Sequence, residues 1–378
     1  MKTLISFFSV ILISLGLNAQ STINGSFVHN GINRSYSFYV PASYNGSEAY
    51  PLVLNLHGYT SFGWQQSLYG DFKPIADTAG FIVVHPEGTV QPGTTNTQFW
   101  NVGFFPSNVD DVAFLEALID SISATYNINP RRIYSTGMSN GGFMSYHLAC
   151  QSDRFAAIAS VTGSMTATTA TSCNPSRPIP VMEIHGTEDA TVPYDGNSGF
   201  LPIDSVVNYW VQFNNCPVPP EMTAVPDIAP TDGATAEHYV YAPGDGGATV
   251  ELFKVINGAH TWPGAPLTID VTCMDFSASK EIWRFFSQFE HPTAGIASIQ
   301  AQKPLKIWPN PADESIRFAE YGMASGSYKI MDMEGRTVGS GQWQSGENQI
   351  NISYLKAGMY VLECRTEEQN FRGRWIRQ

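Results

Sequence analysis

Three residues far apart in the chain have the types that nucleophilic acyl transfer needs. Ser139 lies in Gly137-Met138-Ser139-Asn140-Gly141-Gly142, Asp189 in His185-Gly186-Thr187-Glu188-Asp189, and His260 in Gly258-Ala259-His260-Thr261-Trp262-Pro263-Gly264. A serine hydroxyl is a weak nucleophile until an imidazole takes its proton, and the imidazolium then needs a carboxylate beside it. An apolar run at 132–136 precedes the serine and a helix-like run at 143–150 follows it, which predicts strand, sharp turn and helix. Glycines flank the turn because a β-carbon there would strike the neighbouring strand or helix. The helix N-terminus behind Ser139 favours developing negative charge. With such an elbow, the acid and then the histidine follow in the chain, each on a loop after a strand. The run 181–184 leads into Asp189 and 249–256 leads into His260. Each residue alone also has a structural reading: a helix cap for Ser139, a turn for Asp189, an exposed loop for His260. Their order and placement together select the chemical one.

A tetrahedral oxyanion needs two backbone N–H donors. The residue after the nucleophile, Asn140, supplies one. The apolar run 52–56 leads into His57-Gly58-Tyr59-Thr60, which places the second donor at Tyr59, with Thr60 as the alternative. His57 precedes Ser139 and is read as holding that loop rather than as a base. His85 and His147 are read as structural, and His29, His238 and His291 have no chemical context. Trp100, in a Gly/Thr/Pro-rich loop, and Trp262, beside His260, are the expected substrate contacts.

These residues need a scaffold of strands and helices in alternation. Strands are expected at 36–40, 52–56, 81–84, 132–136, 157–161 and 181–184. The clearest helix is 109–126, where Val112, Leu115, Leu118, Ile119, Ile122 and Tyr126 make one apolar stripe, with Ser107 or Asn108 as its cap. Further helices are expected at 203–213 and 276–289, and a strand–turn–strand at 237–242 and 249–256. The expected class is α/β, with a mostly parallel, doubly wound sheet. After 302 the pattern changes to short strands separated by glycine turns, which predicts a small all-β sandwich.

The 378 residues suit two domains. Residues 1–302 hold 10 Lys and Arg against 24 Asp and Glu, whereas 303–378 hold 10 against 9, which suggests two separate modules. A net charge of −13 argues against nucleic acid or an anionic membrane as partner. Residues 1–19 read as a signal peptide, with Lys2 before an apolar stretch too short to span a bilayer. The boundaries are then 20–291 for the first domain, 292–302 for a linker and 303–378 for the second. No later segment is long enough to span, so the mature chain is expected without a transmembrane segment, as a monomer. In an exported chain the five cysteines point to disulfides. Cys150 with Cys173 and Cys216 with Cys273 are the expected pairs, although four cysteines allow three pairings. Cys364 is left over. No Cys or His spacing resembles a zinc site, and no cofactor is expected.

The combination of Leu56-His57-Gly58, Val109-Asp110-Asp111-Val112, the Ser139 hexapeptide and the segments carrying Asp189 and His260 resembles the polyhydroxybutyrate depolymerase-like esterases, a group that includes bacterial feruloyl and acetylxylan esterases. The resemblance implies an α/β-hydrolase with Ser139, Asp189 and His260 as its triad. Two departures are Ala259, where the family commonly has glycine, and His85-Pro86-Glu87, where it has an aromatic residue and an aspartate. Trp308-Pro309-Asn310-Pro311, the segment 352–360 and the basic end 372–378 are similar to the C-terminal sorting domain of the type IX secretion system. That implies a secreted protein and the secretion machinery as partner. The expected function is hydrolysis of feruloyl or acetyl esters on plant cell-wall polysaccharide. The alternatives are a polyhydroxyalkanoate (polyester) depolymerase and a non-catalytic glycan-binding surface protein.

Overall fold

The computed structural model describes residues 20–292, 303–319, 325–332, 337–344, 346, 348–366 and 370–378. The signal peptide expected at 1–19 and nearly all of the linker expected at 292–302 lie outside the described residues. The chain divides into two units, Met1–Ala294 and Gly295–Gln378.

In the first unit the chain opens with strands β1 (Ser21–His29), β2 (Ile32–Val40) and β3 (Tyr50–Leu56), then helices α1 (Gly63–Tyr69) and α2 (Lys73–Ala79). Strand β4 (Ile82–Pro86) leads to a small hairpin, β5 (Thr89–Val90) and β6 (Gln98–Phe99), before α3 (Asp111–Ser123) and β7 (Ile128–Met138). Then come α4 (Asn140–Gln151), β8 (Ala157–Val161), α5 (Ala167–Ser172), β9 (Val181–Gly186) and α6 (Ile203–Phe213). The unit ends with β10 (Glu221–Ala224), β11 (Thr235–Tyr241), β12 (Val250–Ile256) and α7 (Ala278–Phe286).

One sheet runs β1-β2-β4-β3-β7-β8-β9-β12-β11-β10. Its six central strands, β4 to β12 in that order, are parallel, and antiparallel strands finish both edges. Parallel strands buried on both faces must be apolar throughout, and side chains alternate between the two faces. Leu52, Leu54 and Leu56 therefore enter one core with Leu115 and Ile119 of α3 and Trp210 of α6. Val53 points the other way, into a core with Tyr134 and with Ile282 and Phe285 of α7. Each fully buried apolar side chain contributes about 1.5–3 kcal/mol relative to its exposed state.

All six strands expected at 36–184 form, but the first of them, 36–40, lies in β2, which pairs antiparallel with β4 outside the six parallel strands. The cap of α3 differs from the expectation: Asp110, not Ser107 or Asn108, accepts the Ala113 N–H at 2.9 Å. The neighbouring Asp111 is buried and tied to Arg34 at 2.6 Å, which draws the helix start to that point. The last helix is shorter than expected: the Ser277 hydroxyl caps its start by accepting from Lys280 N–H, and the helix ends at Phe286.

Cys150 and Cys173 form the expected disulfide, tying the last turn of α4 to the segment after α5. The second expected pair does not form. Cys216 and Cys273 are buried free thiols. Cys216 belongs to the core on one face of the sheet and Cys273 to the core on the other, so the sheet separates them. Cys216 instead donates to the Ala248 carbonyl and Cys273 to Asp275 Oδ2.

The second unit has a five-stranded sheet and a three-stranded sheet. Ile316, Phe318 and Ile350 from the smaller sheet share one core with Ile330, Trp343, Leu362 and Trp375 from the larger, the arrangement of a sandwich. Cys364 is a buried free thiol in that core. Among the described residues no helix is long and apolar enough to cross a membrane.

Candidate active site

Ser139 stands between the end of β7 and the first residue of α4, at φ 55° and ψ −120°. A side-chain-bearing residue holds that conformation at a cost of about 1–3 kcal/mol, so the surroundings must impose it. They do so through backbone bonds: Ser139 N–H donates to Val161 O at 2.8 Å, and Ser139 O accepts from Phe143 N–H at 2.9 Å. Close packing does the rest. A β-carbon on Gly137 would stand 2.5 Å from Leu56 O, and one on Gly141 would stand 2.2 Å from the same oxygen. Only glycine lets the elbow sit this close to β3.

The segment after β3 lies beside the elbow, since a β-carbon on Gly58 would be 3.4 Å from Ser139 Cβ. As the first helical residue, Asn140 has a backbone N–H with no partner inside the helix. Tyr59 N–H has no hydrogen-bond partner among the described residues, whereas Thr60 N–H donates to Gln98 O at 2.9 Å. Thr60, the alternative donor, is therefore engaged elsewhere. His57 is buried, and both ring nitrogens are used: Nδ1 donates to Gly58 O at 2.7 Å, and Nε2 accepts from Gly88 N–H at 2.9 Å. Burial holds its pKa down at about 4, so it is a neutral loop anchor.

Asp189 and His260 meet. Asp189 follows β9, His260 follows β12, and His260 Nδ1 donates to Asp189 Oδ2 at 2.7 Å. Asp189 is buried, and its Oδ1 accepts from Thr191 and Val192 N–H, each at 2.8 Å. The ring of His260 is 21% exposed, which leaves its other nitrogen, Nε2, available for chemistry. The two loops touch through glycines: a β-carbon on Gly186 would stand 2.1 Å from Gly258 O. Ala259 adds a methyl group at this junction and is itself buried, so the departure from glycine leaves the His260 contact intact. Strands β7, β9 and β12 are parallel members of one sheet, so Ser139, Asp189 and His260 all follow C-terminal strand ends on the same edge.

The two expected substrate contacts are not surface rings. Trp100 is fully buried, and its indole N–H donates to His57 O at 3.0 Å. Trp262 is also buried, packed edge-on to Phe72 with its indole N–H on Ser279 Oγ. Both tryptophans brace the loops that carry the site. Exposed rings on the neighbouring segments include Tyr59, Trp64 and Phe104. Tyr59 stacks on Phe105, and Phe104 packs edge-on to Phe143, one turn after Ser139.

Residues 34–189 match the esterase PHB depolymerase family, and residues 306–378 match the secretion system C-terminal sorting domain. The first unit thus carries the esterase family match. The chain is 29% identical over 269 residues to a bifunctional acetylxylan esterase/xylanase of Neocallimastix patriciarum, covering 71% of this chain and 35% of that protein. It is 29% identical over 232 residues to feruloyl esterase B of Piromyces equi, covering 58% of this chain and 41% of that protein. The chain thus spans less than half the length of these two relatives. An acetyl xylan esterase structure from Aspergillus awamori superposes with a TM-score of 0.50 at 14% identity, over 70% of this chain and 99% of that one, which shows the α/β-hydrolase fold.

Sequence reasoning missed what stands behind this site. Asp111 Oδ2 accepts from Asn101 N–H at 2.8 Å while Oδ1 holds Arg34, anchoring the loop that carries Trp100. Glu87, whose stretch departs from the family pattern, accepts Gly63 N–H at 2.9 Å and holds the start of α1. His185 and Glu183 are buried beside Asp189. Two ionisable residues at alternate positions of a buried strand were the available signal, since such groups stay inside only when paired.

Proposed function

We propose that the esterase domain is a secreted serine hydrolase cleaving feruloyl or acetyl esters on plant cell-wall polysaccharide. In this reading Ser139 Oγ attacks the ester carbonyl and passes its proton to His260 Nε2, while Asp189 stabilises the imidazolium. The backbone N–H groups of Asn140 and Tyr59 receive the oxyanion. His260 then gives the proton to the departing sugar oxygen. Water, deprotonated by His260, attacks the acyl-enzyme, releases the acid and restores Ser139.

The observation that carries this reading is the 2.7 Å His260–Asp189 bond on the edge where Ser139 is held in a strained turn. The names of the two relatives support carbohydrate esters as the substrate class. The exposed rings of Tyr59 and Phe104 favour an aromatic acyl group such as ferulate. The family match also supports a polyester as substrate. The sorting domain supports export through the type IX machinery, with release or attachment at the cell surface.

Ser139→Ala is expected to abolish hydrolysis of p-nitrophenyl acetate with the fold intact by circular dichroism; retained activity would refute the assignment. Release of ferulate from arabinoxylan, compared with clearing of a polyester suspension, separates the two substrates. Faster clearing of the polyester selects the depolymerase reading.

A further inference from the structure

We propose that His185 and Glu183 form a buried positioning pair for Asp189, fixing the acid of the catalytic site through a proton held between them. The inference rests on the reading of Ser139, His260 and Asp189 as a triad.

Asp189 Oδ2 faces two imidazoles. His260 Nδ1 is 2.7 Å away on the open side, and His185 Nε2 is 3.5 Å away on the buried side. His185 Nε2 also lies 2.8 Å from the Val192 carbonyl. A carbonyl only accepts, so Nε2 carries a hydrogen. The Val192 backbone is then held at its carbonyl and at its N–H, which donates to Asp189 Oδ1 at 2.8 Å. His185 thereby closes the turn that aims Asp189 at His260.

The other nitrogen, Nδ1, is 2.9 Å from Glu183 Oε1, and Glu183 Oε2 accepts from Tyr146 Oη–H at 2.7 Å. Glu183, His185 and Tyr146 are fully buried. Two lone pairs facing each other at 2.9 Å away from water would be costly, so one proton must lie between Nδ1 and Oε1. Imidazolium with carboxylate, or imidazole with carboxylic acid, satisfies the contact, and both are neutral overall. Burial opposes a charged His185, yet Glu183 and Asp189 together hold its pKa above the ordinary value, in keeping with a retained proton. The positive end of the pair faces Asp189.

The groups around the pair leave this arrangement intact. Ser160 on β8 stands opposite Glu183 in the sheet register, and Lys254 on β12 stands opposite His185. The Lys254 ammonium is over the Tyr194 ring, and Tyr194 packs edge-on to His185. Tyr146 on α4 and His260 complete the surroundings.

The test compares Glu183→Gln and Tyr146→Phe with the wild-type full chain on p-nitrophenyl acetate. Folding is checked by circular dichroism, and both variants are also made in an Asp189→Asn background. Glu183→Gln removes the shared proton and leaves a neutral His185, so Asp189 is less compensated and holds the His260 proton more tightly. We expect kcat to fall about tenfold with KM unchanged. The acid limb of the kcat/KM profile should move up by about half a unit. Tyr146→Phe should act in the same direction, by about threefold. In the Asp189→Asn background neither change should lower kcat further, since the residue they position is already lost.

Wild-type kcat and acid limb in folded Glu183→Gln would overturn the proposal. So would a loss repeated in full in the Asp189→Asn background, which marks general destabilisation. If Glu183→Gln fails to fold, wild-type behaviour of Tyr146→Phe overturns it instead. An inactive Ser139→Ala beside a normal Glu183→Gln removes only the pair's role, whereas an active Ser139→Ala removes the triad reading itself.

Discussion

The side chain of Asn140 binds both ends of the Trp100 backbone: Oδ1 accepts Trp100 N–H at 2.6 Å, and Nδ2 donates to Trp100 O at 3.1 Å. The residue after Ser139 thus joins the elbow to the 99–101 loop, and the Trp100 indole joins that loop to His57 O. The two segments expected to supply oxyanion donors are held by one set of bonds. Asn140→Ala keeps its backbone N–H but frees the loop. It is expected to lower kcat for p-nitrophenyl acetate about tenfold with a smaller change in KM. Asn140→Asp keeps the acceptor and loses the donor, and should fall between. Unchanged kcat in both variants would disprove a link between this loop and the oxyanion site.

Trp100 and Trp262 are expected to act on stability first. Replacing either with alanine should cost about 3–5 kcal/mol in urea unfolding, the range for large buried aromatic residues. A ring that only touched substrate would instead raise KM and leave the unfolding midpoint in place. The two measurements on the same variants decide between these roles.

His57 and His85 link folding to pH. Burial lowers His57 to about 4 and His85 to about 3, against 6.5 for an unperturbed imidazole. The unfolded chain therefore takes up these protons first as the pH falls. Their contribution to stability is complete above about pH 6.5 and is lost progressively toward pH 4 and 3. Each histidine should add about 1.4 kcal/mol per pH unit to the slope of unfolding free energy in that window. His85→Leu should flatten the slope by that amount, measured by urea unfolding at pH 4.5, 5.5 and 6.5. An unchanged slope would show that His85 does not titrate in this way.

Thiol counting checks the cysteine assignment. Cys216, Cys273 and Cys364 are buried and free, and burial raises both Cys273 and Cys364 to about 12. The native protein should react slowly with a disulfide reagent at pH 8, because the thiolate is the reactive form. Denatured without reductant, it should release three equivalents of thiol. A Cys216–Cys273 bridge would leave one.

Much of the site was legible because its signals are local. A strand, a glycine-flanked serine and a helix lie within one stretch of chain, and the loops after β9 and β12 carry Asp189 and His260 at recognisable turns. The helix cap at Asp110 was misplaced by two residues or more because Ser107 and Asn108 have equal capping chemistry. Arg34, 77 residues away in sequence, decides among them by holding Asp111. The tryptophans misled for a related reason. An aromatic residue in a Gly/Pro-rich loop has the same local pattern whether the loop folds inward or outward.

The sequence by itself determined the parallel sheet, the elbow and the order of Ser139, Asp189 and His260, since periodicity, glycine sterics and chain order are properties of neighbouring residues. Only the tertiary structure decided that His260 bonds Asp189, that Trp100 and Trp262 are buried, and that Cys216 and Cys273 lie on opposite faces. It also decided that His185 and Glu183 stand behind Asp189. These relationships depend on which strands become neighbours and which face each residue enters, and distant parts of the chain must pack together before either is defined.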